Sequence, residues 1–235
     1  MLTLAFDTSS KTASVSLLRD KAVLYDTIID KGLNHSEVLL PAIDEVCRLA
    51  GGKITDIDLF ACTLGPGSFT GLRIGVSTLK GLIMATGKPA AGVSSLAALA
   101  LNVQDTDKII GSMMDAGRGQ VYLAYYRYDK EGILIELGAA RAFDPHSLTE
   151  QYQDQVIYVG DGAIKYADII NALPIKGYKI ASEEKQFIRA SAVGRLAIDK
   201  YHRNDLLDLA ASAPVYLRSA DALPKKNFFL KGSVR

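Results

Sequence analysis

One pattern occurs twice in this chain, and it limits the possible folds more than any other feature. Leu2-Thr-Leu-Ala-Phe6 is an apolar run of strand length that stops at an acid, Asp7, and a small polar turn, Thr8-Ser9-Ser10. Ala13 to Leu18 alternates as a second strand, Asp20-Lys21 turns, and Ala22 to Ile29 returns as a third. After residue 105 the pattern restarts. Lys108 to Met114 ends at Asp115-Ala116-Gly117, Gln120 to Tyr128 alternates, Asp129 to Gly132 turns, and Ile133 to Ala139 returns. Val156 to Val159 adds a further strand, followed by Gly160-Asp161-Gly162. Placing Asp7 on Asp115 superposes the two runs. The expected architecture is α/β, with two similar lobes at residues 1–105 and 106–235, each a mixed sheet led by a meander and flanked by helices. The last stretch is free to pack back on the first lobe. Identity between the halves is low, so two unrelated hairpins stand as the plainer alternative.

Between the repeats lie two helices and a glycine-rich loop. Asn34 opens the first helix as N-cap with Glu37 three residues on, a capping-box spacing, and the helix runs to Gly51-Gly52. Ile57 to Leu64 is a strand. It leads into Gly65-Pro-Gly-Ser-Phe-Thr-Gly71 and an apolar helix from Thr70 to Thr86. The loop invites a phosphate-binding reading, yet Leu72-Arg73 follow where a P-loop needs Lys and Ser/Thr, and Thr70 stands where a dinucleotide fingerprint needs its third glycine. Two readings stay open: an anion site at a helix N-terminus, or a tight turn in which glycine supplies the backbone angles. The second helix carries apolar residues on most of its circumference, with Gly71, Gly75 and Gly81 keeping it slim. Such a helix is buried all round, in the core or under a partner. The partner reading assigns the contact surface to His35, Leu39, Ile43, Val46, Gly71, Ile74, Gly75, Thr78 and Gly81.

Chemistry-bearing constellations are few. The net charge of +1 gives no overall field toward nucleic acid or membrane, and no apolar run is long enough to span a bilayer. Cys47 and Cys62 have no metal or disulfide spacing, as expected of a cytoplasmic protein. His35, His146 and His202 are scattered, and no G-x-S-x-G elbow occurs. Asp7 and Asp115 are the best candidates: acids at strand ends beside small turns could hold magnesium near a phosphate, or each could cap its own turn.

Five stretches together resemble the TsaB (YeaZ) family: AFDTSS at 5–10, HSEVLLPAID at 35–44, GPGSFTGLRIGVSTLKGL at 65–82, MDAGRGQVY at 114–122 and PVYLR at 214–218. The resemblance runs nearly end to end, and GPGSFTGLR is its most specific part. It implies the duplicated two-lobe actin/Hsp70/sugar-kinase-like (ASKHA) fold. It further implies a non-catalytic scaffold subunit in synthesis of N6-threonylcarbamoyladenosine at tRNA position 37, working with a TsaD-like transferase and a TsaE-like ATPase. The chain alone would be a homodimer, and tRNA would be reached through the complex. The catalytic paralogue carries a metal-binding H-x-x-x-H pair after its comparable loop and helix, and here Ser95 and Leu99 stand at those positions. Serine is a poor transition-metal ligand and leucine is none, so no metal is expected. A nucleotide site retained from the superfamily would comprise Asp7, Thr8, Ser9, Asp115, Gly160, Asp161 and Gly162, with no cofactor required and weak ATP or ADP binding allowed within the complex. The alternative function is a small-molecule kinase or ATPase of the same superfamily using Asp7 and Asp115.

Overall fold

A computed structural model of the chain describes residues 1–29, 34–104, 106–148, 156–172, 178–208 and 213–217. Residue 105, where the lobe boundary was expected, lies outside the described residues, as does Arg218 of the last motif.

The first meander is built as expected: β1 Leu2–Asp7, β2 Ala13–Arg19 and β3 Ala22–Ile29 pair antiparallel in sequence. Then come α1 His35–Leu49, β4 Leu59–Gly65, α2 Phe69–Thr86, β5 Ala90–Ser94 and α3 Ser95–Ala100. β4 and β5 add parallel beyond β1, giving the sheet order β3-β2-β1-β4-β5. The second half repeats this plan strand for strand. β6 Ile109–Gly117, β7 Gln120–Tyr128 and β8 Leu134–Glu136 form the meander, followed by β9 Arg141–Phe143, β10 Val156–Val159, α4 Asp161–Lys165, α5 Ala167–Asn171, β11 Lys179–Ile180 and α6 Ala190–His202. The order β11-β10-β6-β7-β8, with β10 and β11 parallel beyond β6, is the first sheet's order again. Asp7 and Asp115 close equivalent strands, so the halves are a duplication and not two chance hairpins. The single returning strand expected at 133–139 is instead two short ones, β8 and β9, each covering one end of the nine-residue β7.

Period-two alternation sorts the first sheet's side chains. Leu4, Phe6, Val15 and Leu17 face outward onto α1 and α2, where they meet Leu39, Ile43, Val46, Val76 and Leu79. Ala5 and Leu18 face inward onto α6, joining Val193, Ala197, Ile198 and α3's Leu96 and Leu99 in a cluster that continues into Ile110 and Met114 of the second sheet. The last helix therefore belongs to the first lobe by packing, against β1, β2, β4 and β5. The expected capping box of α1 takes another form: the Asn34 side chain caps no backbone N–H, and its Nδ2 donates to Glu37 Oε1 at 2.8 Å.

Candidate functional site

The turn after β1 and the glycine loop after β4 lie against each other, and this contact explains the glycines. The Ser68 amide donates to the Ser9 carbonyl at 2.7 Å, and Thr8 Oγ1 donates to the Gly71 carbonyl at 2.7 Å. A Cβ on Gly67 would collide with the Ser9 carbonyl, one on Gly71 with the Thr8 carbonyl, and one on Gly75 would stand 2.6 Å from Thr8 Oγ1. Of the two readings of the loop, close packing is the one these contacts support. His35 joins from α1, its Nε2 2.8 Å from the Ser10 carbonyl.

Asp7 is sealed beneath this contact at 1% exposure. Its Oδ1 accepts from the Ser9 amide at 3.1 Å, from Ser9 Oγ at 2.6 Å and from Thr63 Oγ1 of β4, while its Oδ2 has no hydrogen-bond partner among the described residues. Burial raises the carboxyl's pKa; the Ser9 and Thr63 hydrogen bonds and the charge of His35 oppose that shift without reversing it. Thr63 was not singled out from sequence. A polar residue near the end of the apolar run Leu59 to Leu64 was the available signal.

In the second lobe Asp115, Gly160, Asp161 and Gly162 come together. Asp161 Oδ1 accepts from the Asp115 amide at 2.9 Å, Asp115 Oδ1 accepts from the Gly117 amide at 3.0 Å, and Asp115 Oδ2 pairs with Lys165 Nζ at 2.8 Å. Gly160 and Gly162 sit tight on the backbone of Met113 and Met114. The cleft between the lobes, lined by Ser10, Lys11, Thr12, Leu99, Met114, Asp161 and residues 186–188, holds about 60 Å³. Small-molecule sites commonly span about 300 Å³ or more, several times this volume. The positions of the paralogue's histidine pair carry a serine and a leucine, a poor transition-metal ligand and a non-ligand. Ser95 and Leu99 are 0% and 1% exposed in α3, and Leu99 packs toward Gly160. Among the described residues no three His, Cys, Asp or Glu side chains cluster for a metal ion.

The expected contact surface needs correction. Leu39, Ile43 and Val46 are 1%, 3% and 4% exposed inside the lobe's own core, and Gly71 and Gly75 back onto Thr8. The i, i+4, i+7 stripe is the core stripe of α1, and nothing in its spacing marks it for a partner. Ile74 and Thr78 are half-buried, and Gly81 is open, with nothing near its Cβ direction. The exposed large apolar residues of the pair are Leu40 at 54%, Leu49 at 47% and Met84 at 76%. Beside them a groove of about 750 Å³ is lined by Leu40, Ile43, Cys47, Ile54 and Leu82, with Asp44 and Arg48 at its sides.

On the outer side of the glycine loop, residues 213–217 lie across it. The Val215 amide donates to the Leu64 carbonyl at 2.6 Å, and Tyr216 packs tilted against Phe69. Two of the specific sequence motifs therefore meet in space.

Two lobes repeating one strand order, with an acid at each equivalent strand end, define a member of the actin/Hsp70/sugar-kinase-like class. The family model described as TsaD, tRNA N6-adenosine threonylcarbamoyltransferase, matches residues 32–222. The tRNA threonylcarbamoyladenosine biosynthesis protein TsaB of Bacillus subtilis (strain 168) is 32% identical, over 96% of this chain and 97% of that one. The protein of the same name from Escherichia coli (strain K12) is 28% identical, over 96% and 98%. The solved structure of YeaZ from Pseudomonas aeruginosa superposes with a TM-score of 0.80 at 26% identity, covering 92% of this chain and 99% of that one. The chain belongs to the TsaB (YeaZ) family.

Proposed function

We propose that this protein is a non-catalytic subunit in the synthesis of N6-threonylcarbamoyladenosine on tRNA, binding and supporting a TsaD-like transferase. The observation that carries the reading is the burial of Ser95 and Leu99 in α3, at the positions where the catalytic paralogue would place its metal-binding histidines. The closed cleft points the same way, leaving Asp7 and Asp115 engaged in their own turns. ATP or ADP is then bound weakly at most, with no cofactor required.

The contact surface is the outward side of α1 and α2, corrected to Leu40, Ile74, Thr78, Gly81, Leu82 and Met84 around the groove. Open Gly81 and exposed Ser77 and Ala85 allow close approach of partner helices. In isolation the same surface pairs two copies of the chain, since large apolar surface is rarely left bare. A TsaE-like ATPase joins the assembled pair, and tRNA is reached through the complex. No helix among the described residues is long and apolar enough to cross a membrane, and the site of action is the cytoplasm.

The experiment combines Leu40→Glu and Met84→Glu. Both residues are exposed, so the variant should fold while losing self-association in size-exclusion with light scattering and losing capture of a TsaD-like protein, by about a hundredfold or more if the centre is desolvated. A folded variant that still dimerises and still captures the transferase would overturn the surface. ATP turnover by the isolated chain, abolished by Asp7→Ala, would overturn the non-catalytic reading in favour of the kinase or ATPase alternative.

A further inference from the structure

The chain passes from the first lobe to the second after α3 and returns at 181–189, and the two crossings are tied together by one side chain. Asn102 Nδ2 donates to the Lys185 carbonyl at 2.9 Å and to the Phe187 carbonyl at 2.6 Å, using both of its hydrogens. Between those two anchors the chain turns Gln186 the other way, 5% exposed. Its Oε1 accepts from the Gly160 amide at 2.6 Å and its Nε2 donates to the Ala181 carbonyl. The next carbonyl along, Ile188, accepts from Ser14 Oγ of β2 at 2.9 Å.

Four consecutive residues, 185–188, are thus fastened to the first lobe at Ser14, to the junction at Asn102, and to the second lobe at Gly160 and Ala181. Residues 186–188 of this strap also form part of the wall of the 60 Å³ cleft. A hinge motion that separates the lobes must pull the Ser14 anchor from the Gly160 anchor. Only one residue of chain, Phe187, lies between the two that carry these ties, too few to stretch without breaking a bond.

We propose that Asn102 and Gln186 form a latch that holds the interlobe cleft closed without any ligand, and that releasing it opens the cleft to a ligand of nucleotide size. Two-lobed proteins of hinge type ordinarily close around what they bind. Here closure is set by the chain's own side chains, and a cleft ligand has to compete with them. Its apparent affinity falls by the fraction of molecules that are open. The rim of the cleft carries Lys11 beside Asp161, which suits a phosphate chain on the lysine side.

The test measures the distance between spin labels on opposite lobes, at Lys21→Cys and Glu131→Cys in a Cys47→Ala background, on the full chain, with labelled protein diluted into unlabelled protein so that only distances within one molecule are read. The parent should give one narrow distance. Asn102→Ala and Gln186→Ala should each add a second, distinct population, and Mg·ATP titrated into them should bind roughly tenfold more tightly than to the parent, as expected when about one hydrogen bond's worth of closure is removed. Unchanged distance distributions in both variants, with cooperative unfolding retained, would overturn the latch. Opened lobes with no gain in Mg·ATP affinity would overturn its ligand half. If either variant fails to fold, Ser14→Ala, which removes only the third tie, replaces it and is read by the same criteria. These readouts use the isolated chain, so they are independent of the partner reading above.

Discussion

The ring of Tyr216 packs tilted against that of Phe69 at a centroid distance of 5.0 Å, and the Arg73 guanidinium lies over the Phe69 ring, 3.8 Å from its centroid. Arg73 Nε also reaches Tyr216 OH at 3.4 Å, across 143 residues of sequence. The second helix and the penultimate strip of chain are held together by this trio. Removing either ring should loosen the strip without unfolding the lobe. A double-mutant cycle of Phe69→Ala and Tyr216→Ala, followed by urea unfolding, should give a coupling of about 0.5–1.5 kcal/mol. Additive single effects would mean that the rings touch without helping each other.

Two glycines on α2 should respond to alanine with opposite signs. Gly71→Ala drives a methyl into the Thr8 carbonyl oxygen, where backbone has to move, and overpacking of this kind costs about 1–3 kcal/mol. Gly81→Ala meets nothing within 4 Å and should gain up to about 1 kcal/mol from helix propensity. Urea midpoints of the two variants check the pair. Equal shifts would mean the turn after β1 does not press on α2.

Asp7 should make the protein less stable as pH rises through its own titration. Burial raises its folded pKa above the ordinary value of 3.8. Between the unfolded and folded pKa values the native state therefore binds more protons than the unfolded state, and stability falls with increasing pH in that window. Each tenfold weakening of the acid corresponds to about 1.4 kcal/mol of that loss. Asp7→Asn removes the titration, so the variant should gain on the parent as pH climbs from below 3.8 toward neutrality. Parallel stability profiles of the two proteins would show that the carboxyl ionises as freely folded as unfolded.

The two thiols should report on different events. Cys62 is 1% exposed beneath the cleft turn, with burial and the Asp7 charge pushing its pKa up, so alkylation should track global unfolding. Cys47 is 5% exposed but lines the open groove beside Leu40, so it should react faster at pH 8. A partner seated on the groove should slow Cys47 and leave Cys62 unchanged. Mass-resolved alkylation rates with and without a TsaD-like protein measure both.

Much of the architecture was readable because it is written locally. The alternation of Ala13 to Leu18 and of Gln120 to Tyr128, and the acids that stop the preceding strands, name both meanders. β5 and α3 were not assigned, because Ala90-Ala-Gly-Val-Ser94 and Ser95-Leu-Ala-Ala-Leu-Ala100 are small-residue runs with neither period. They are identified only by what they are wedged between. The direction of an amphipathic stripe is likewise absent from its spacing. Leu39, Ile43 and Val46 mark a face, and only the outward residues Phe6 and Val15 of the sheet beneath decide that it faces home. The glycine loop was ambiguous for the same reason, since the atoms that forbid side chains on Gly67 and Gly71 belong to Thr8 and Ser9, some sixty residues earlier. A hint was present in the i, i+4 pair Gly71 and Gly75, which puts two missing side chains on one helical face.

The place of α6 has a consequence for how the protein is made. Ala5 and Leu18 precede by about 175 residues or more the Val193, Ala197 and Ile198 that cover them. Until those have been translated, the inward face of the first sheet lacks α6, the helix that packs against β1, β2, β4 and β5. At ordinary elongation rates that interval is on the order of ten seconds or more. Of the two lobes, the one synthesised first is therefore the last to be finished, and the nascent chain carries a partly uncovered apolar sheet through that interval.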